Sequence, residues 1–343
     1  MTIEEFGRRL RARDVTSERV TDECLRRIDA EQSRLNAFIL VMADEARRQA
    51  RALDRELAGG RDRGPLHGVP MSIKDLIDLR GTPTTAASRV RDGHVAGHDA
   101  AAIAHLRQAG VVILGKTNLH EFAFGTTNED SAFGPARNPH DPARSPGGSS
   151  GGSAASVAAR MALATIGTDT GGSIRIPAAA CGIVGLKPTY GEVSTEGVIP
   201  LSRTFDHVGP LTQSVTDAFL VYHALLGDHI AAPPAPMPMT GVRLAVPRRY
   251  FCDLLDDEVR ARFERRWADA RERRSALLVA VRGWLRRHVE AARWRRRDGL
   301  EQRSGQSQRF GDRRRLLDDL HADAPVAGGG PAWPRTDGPG RFS

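Results

Sequence analysis

This sequence predicts an α/β fold in which helices cover both faces of a largely parallel sheet, and three observations predict it. Short apolar, strand-like runs alternate with helical runs from about residue 68 onward, the pattern that builds crossover units. The 343 residues are enough for one large α/β domain or two modest ones, with ample length to bury a core. Two glycine-flanked serines, Ser149 and Ser173, stand 24 residues apart, the second where a strand's end meets the start of a helix.

The elements follow in order. Residues 2–57 read as helices: Thr2 and Glu5 have capping-box spacing, and Ser17 reads as the cap of an amphipathic run carrying Val20, Cys24, Leu25 and Ile28. No chemistry is legible there. A turn at 65–68 leads into GVPMSIKDLID, residues 68–78, a strand that delivers Lys74 as its apolar run ends. A helix over 99–108 and a strand over 111–114 come next, followed by the loop GKTNLHEFAFGTTNEDSAFGPARNP, in which Lys116 and Asn118 are expected to fix the backbone at the strand's carboxyl end. Residues 154–161 read as a helix and 162–167 as a short buried strand; 183–186 and 242–246 read as further strands and Val215–Leu226 as a helix. The segment AAPPAPMPMTG, 231–241, reads as a proline-rich surface connector.

Charge is distributed unevenly. Of 50 Lys plus Arg and 42 Asp plus Glu, residues 271–343 hold 17 Arg, no Lys and 9 acidic side chains, which leaves 33 of each sign in residues 1–270. The excess of +8 therefore belongs to the tail, and nucleic acid is not the expected partner of the body of the chain. Cys24, Cys181 and Cys252 have no metal-type spacing and cannot pair completely, which fits a reducing compartment. No apolar run approaches the roughly 20 residues of a spanning helix, and the amino terminus lacks the basic-then-apolar layout of a secretion signal. A cytoplasmic location without membrane contact is expected.

The chemistry concentrates in residues 145–190. Alone, GGSSGGS reads equally well as a flexible linker. The second cluster, GTDTGGSIRIPAAACGIVGLKP, changes the balance, because it mixes glycine with an apolar run, two ion-pair partners and two prolines, none of which a linker needs. Glycine lets the main chain approach a substrate closely, and a helix start offers unpaired N–H groups to a developing negative charge. Lysine adds a second signal: only Lys74, Lys116 and Lys187 among 50 basic residues are Lys, so a merely solvated position would carry Arg. A buried lysine can lose its proton and serve as a base, which arginine cannot.

Two spellings mislead. Gly110, Gly115, Lys116 and Thr117 match the phosphate loop G-x-x-x-x-G-K-T, but a helix precedes Gly110 and the strand lies between the two glycines, the reverse of what that loop requires. Residues 147–151 spell the G-x-S-x-G nucleophile elbow, but turn formers precede them rather than a strand. His120 and Glu121 lack a following His at 124, and His94 and His98 read as surface groups beside glycines, so neither a metal nor another cofactor is expected.

In this order, GVPMSIKDL, GKTN, PGGSSGGSAA, GTDTGGSIRIPAA and CGIVGLKPTYG resemble the amidase signature family over roughly residues 5–268. The resemblance implies an α/β/α fold around a mixed, mostly parallel sheet and a Ser-Ser-Lys triad that cleaves carboxamides through an acyl-enzyme. It assigns Ser173 as nucleophile, Ser149 as bridging serine, usually in a cis peptide, and Lys74 as base. The N–H groups of Thr170, Gly171, Gly172 and Ser173 would form the oxyanion hole, with Asp169 and Arg175 as a supporting ion pair. Two roles compete: a free-standing amidase acting on a small-molecule amide, and the A subunit of a tRNA-dependent amidotransferase that releases ammonia from glutamine for partner subunits. The stretch STEGVIPLSRTFDHVGPLT looks more like the free-standing enzymes; a homodimer is a further option.

From about 265 onward the resemblance is lost. The expected division is an incomplete amidase domain over 1–268 and an aberrant Arg-rich, poorly ordered tail over 269–343, which also holds three of the four tryptophans, Trp267 standing just before it. A shifted reading frame in GC-rich DNA accounts for such a tail, since out-of-frame codons there yield Arg, Trp, Gly and Pro. The competing readings are a genuine basic arm for nucleic acid, suggested by arginines 295–297 and 313–315, and, if the frame is shifted, an inactive fragment.

Overall fold

The computed structural model describes residues 1–228, 246, 248 and 252–272. The chain forms two compact units, Met1–Ala235 and Pro236–Ser343. In the first, helices α1 (Ile3–Arg11) and α2 (Ser17–Leu35) lead to strand β1 (Phe38–Val41), helix α3 (Ala43–Ala58) and strand β2 (Pro70–Lys74). Helix α4 (Ala101–Gln108), strand β3 (Val112–Thr117), helix α5 (Gly151–Ala158) and strand β4 (Ala164–Asp169) follow. Helix α6 (Arg175–Ala180), strands β5 (Val184–Gly185) and β6 (His207–Thr212) and helix α7 (Val215–Leu226) complete the described part of that unit. The described residues of the second unit include helix α8 (Asp257–Glu272). The expected strand over 242–246, the connector 231–241 and the tail beyond 272 lie outside the described residues.

The six strands form one mixed sheet in the order β1-β3-β2-β4-β6-β5. The sheet is mixed, as expected, but not mostly parallel: parallel pairing is confined to its centre, β3-β2-β4, while β1 joins β3, β6 joins β4 and β5 joins β6 antiparallel. Strand residues alternate between the two faces. Ile113, Met71 and Ile73 enter one apolar cluster with residues of α1, α4 and α7, whereas Val112 and Leu114 enter another with residues of α2 and α3. Helices thus cover both faces.

The central strands are buried throughout, and their polar residues are paired inside the protein. Ser72 Oγ donates to Thr165 Oγ1 at 2.8 Å and meets Ser156 Oγ of α5 at 3.1 Å, and Thr117 Oγ1 meets Ser153 Oγ at 2.6 Å. Helix α5, GGSAASVA, can lie this close because its side chains are small: a Cβ on Gly152 would stand 2.4 Å from Ala37 O and 2.6 Å from Asn118 O.

Three further expectations need correction. The cap of α2 is Thr16, whose side chain accepts from Arg19 N–H; Ser17 is instead buried and its hydroxyl donates to Gly68 O at 2.7 Å. The helical reading of 2–57 missed β1, which begins after Asn36 leaves the helix in a left-handed conformation (φ 46°). Strand β6 was not foreseen; Pro210 within it cannot donate to a ladder, which argues against a central strand. Here Pro210 pairs with Ile166 and its carbonyl accepts from Leu186 N–H at 3.1 Å, so the ladder uses its acceptor instead. No helix among the described residues is long and apolar enough to cross a membrane.

Candidate active site

The site forms at the carboxyl ends of the parallel strands β2 and β4. Lys74, the last residue of β2, is fully buried. Its Nζ stands 2.7 Å from Ser149 Oγ and 2.8 Å from Thr168 Oγ1, the latter on neighbouring β4. Burial pushes the Lys74 amine down from its usual value to about 7, against the opposing pull of the Asp169 and Asp206 carboxylates.

Ser149 lies in the turn ahead of α5, where Gly148–Ser149 is a cis peptide. Backbone contacts seat the turn: His120 N–H donates to Ser149 O at 3.0 Å, and a Cβ on Gly148 would stand 2.7 Å from Thr127 N. Asn128 Oδ1 accepts from Gly152 N–H at 3.1 Å. The Gly/Ser run is therefore a close-packed turn and helix start rather than a linker.

Ser173 belongs to the turn between β4 and α6. Ser150 N–H donates to Ser173 O at 3.3 Å, which brings the two serine loops side by side. Ser173 is 7% exposed, and among the described residues its hydroxyl makes no hydrogen bond. The N–H groups of Thr170, Gly171, Gly172 and Ser173 likewise donate no hydrogen bond among the described residues. Gly172 has φ 142°, and a Cβ on Gly171 would meet nothing within 4 Å.

Asp169 staples this turn. Its carboxylate is fully buried and accepts from Arg175 Nε and Nη2, both at 2.9 Å, and from Ile174 N–H at 3.2 Å. Burial alone would raise its pKa; the Arg175 hydrogen bond and the backbone donors outweigh that and hold the carboxyl below its ordinary range.

Of the other two lysines, Lys116 is also fully buried. Lys116 Nζ pairs with Asp75 Oδ1 at 2.8 Å, both side chains fully or nearly sealed from solvent, and donates to Pro83 O at 3.0 Å. Burial lowers its pKa and Asp75 opposes the shift. Asn118 Nδ2 donates to Asn36 O and Gly134 O, tying the loop after β3. Lys187 is half-buried against His207. Sequence reasoning missed Thr168, Asp206 and His207. For Thr168 the signal was present: the expected strand over 162–167 runs directly into Thr168 and Asp169 at its carboxyl end, in GTD of GTDTGGS.

A model of the amidase family matches residues 19–277, well over half of the chain. The A subunit of glutamyl-tRNA(Gln) amidotransferase from Geobacter sp. (strain M21) is 43% identical over 272 residues, 76% of this chain and 56% of that protein. A crystal structure of an amidase superposes with a TM-score of 0.75 at 43% identity, covering 81% of this chain and 63% of its own. Native peptide amidase from Stenotrophomonas maltophilia superposes with a TM-score of 0.62 at 44% identity, over 65% of this chain and 47% of its own. The chain spans about half the length of the curated relatives it matches. With motifs in order, a shared fold and a family match across the site, this chain belongs to the amidase family.

Proposed function

We propose that the chain hydrolyses a carboxamide C–N bond through an acyl-enzyme, with Lys74, Ser149 and Ser173 as the catalytic residues. The observation that carries this reading is a buried lysine whose Nζ stands 2.7 Å from a serine hydroxyl in the turn beside Ser173. A neutral Lys74 amine donates one hydrogen to Thr168 Oγ1 and turns its lone pair toward Ser149, which suits a base. Ser173 Oγ attacks the substrate carbonyl carbon as its proton passes to Ser149 and the Ser149 proton passes to Lys74. The N–H groups of Thr170, Gly171, Gly172 and Ser173 stabilise the oxyanion, a type of interaction typically worth about 3–4 kcal/mol per donor. The proton then returns along the same path to the leaving nitrogen, the C–N bond breaks, and water releases the acid by the same steps.

A second reading has an observation of its own: the curated relatives are A subunits of an amidotransferase, so the amide is glutamine and turnover depends on partner subunits. Assay of the purified chain against small amides and glutamine separates the two, with Ser173→Ala as control. Turnover of simple amides by the chain alone, lost in Ser173→Ala, supports the amidase. Glutamine turnover only with added partner subunits supports the second reading, and no turnover under either condition means an inactive fragment.

A further inference from the structure

We propose that Lys187 and His207 are positioning residues for the oxyanion donor Thr170, acting through a hydrogen-bonded chain that ends on the carbonyl of Asp169; the proposal rests on the amide-hydrolysis reading above. His207 opens β6 and pairs across the sheet with Asp169, the last residue of β4. Its Nδ1 stands 3.1 Å from Asp169 O, and its Nε2 stands 3.1 Å from Lys187 Nζ.

The direction of this chain follows from the lysine. An ammonium group only donates, so Nε2 accepts and the imidazole hydrogen sits on Nδ1, from which it donates to Asp169 O. That carbonyl and the Thr170 N–H are the two ends of one peptide group. A donor on the carbonyl draws electron density through the amide and makes its N–H a stronger donor. The cation at the head of the chain is thereby coupled to a charge forming at its far end.

Neighbours hold the peptide in place. Thr170 Oγ1 donates to Asp206 Oδ1 at 2.5 Å, while Asp206 Oδ2 accepts from Leu201 N–H and Ser202 N–H at 2.9 Å each. The Tyr190 ring meets the His207 ring edge-on, with centroids 5.7 Å apart, and fixes the imidazole plane. Lys187 Nζ also donates to Pro188 O at 2.7 Å, so its position does not depend on the histidine alone. The carbonyl, side chain and flanking carboxylate around residues 169 and 170 are all engaged, and the Thr170 N–H has no partner among the described residues.

One oxyanion donor is worth about 10²–10³ in kcat, and cooperative strengthening of about 10–30% per bond then corresponds to about a 2- to 8-fold change. NMR of the ¹⁵N-labelled full chain tests the bond chain without turnover: His207 is expected as the Nδ1–H tautomer. The Thr170 amide proton is expected to move upfield in His207→Phe and to be restored in His207→Asn, whose Nδ2 can stand where Nδ1 stood. Kinetics on an amide whose turnover Ser173→Ala abolishes test the consequence: His207→Phe lowers kcat about 2- to 8-fold with KM unchanged. Lys187→Met lowers kcat less and adds nothing in the His207→Phe background. An Nε2–H tautomer, an unmoved Thr170 resonance or a loss confined to KM overturns the proposal. Turnover that survives Ser173→Ala sinks the amidase reading instead, a result distinct from these.

Discussion

The pH dependence of turnover tests the proposed role of Lys74 as base most directly. With the Lys74 amine at about 7, half of the molecules carry it neutral at pH 7; at pH 6 the fraction is about one in eleven and at pH 8 about ten in eleven. The ratio kcat/KM is therefore expected to rise about tenfold per unit well below pH 6, bend near 7 and level off above 8. An ordinary lysine would leave only about one molecule in 2,500 neutral at pH 7, and the rate would climb with unit slope to pH 10. Lys74→Arg supplies the control, since a guanidinium keeps its proton; a loss of at least about 10²–10⁴ is expected. The same shift governs stability, with the opposite sense to that of a lysine gaining a partner. Between about 7 and 10.4 the unfolded chain binds a proton that the folded chain has released, so stability rises with pH by about 1.4 kcal/mol per unit. Lys74→Met is expected to lose that slope and to melt higher than the parent at pH 6–7. A kcat/KM that keeps unit slope to pH 9 or beyond, or a Lys74→Arg variant with near-parent rates, refutes the reasoning.

Thr168→Val removes an acceptor at 2.8 Å from Lys74 Nζ; without it the ammonium form is less favoured, so the bend in the rate profile moves below 7 and kcat falls several-fold at constant KM, read from pH-resolved kinetics. Gly152→Ala places a Cβ 2.4 Å from Ala37 O, a backbone atom that cannot swing away; a loss of about 3 kcal/mol or more in denaturant unfolding is expected, and unchanged stability would show that α5 does not lie so close. Asp75→Ala leaves the buried Lys116 cation without its carboxylate, which is expected to cost about 3–5 kcal/mol, while the double variant Asp75→Ala, Lys116→Met recovers part of that loss.

Much of the fold was readable because its signals are local. Helix α7 stands at the expected residues Val215–Leu226, and the structure shows Ser214 capping it; the alternation of strands and helices identified a sheet covered on both faces. Where reading failed, a long-range pairing overrode a local preference. Residues 207–212 carry a proline that argues against a central strand, yet β4 and β5 on either side make one of them. The first Gly/Ser run has linker composition, but its glycines permit backbone approaches visible only when Ala37, Asn118 and Thr127 are in place.

The sequence by itself determined the candidate chemistry: two serines in glycine-rich turns, three lysines where arginine is otherwise used, and an order of motifs shared with a family. Only the tertiary structure decided which groups meet. Parallel pairing of β2 with β4 sets Lys74 beside Thr168, the packing of α5 sets Ser149 at 2.7 Å, and His207 reaches from β6 to the Asp169 carbonyl on β4. The physical reason is that hydrogen bonding acts at a few ångströms between residues tens of positions apart, and desolvation of an amine depends on everything that excludes water from it. Neither is encoded at the lysine's own position in the chain.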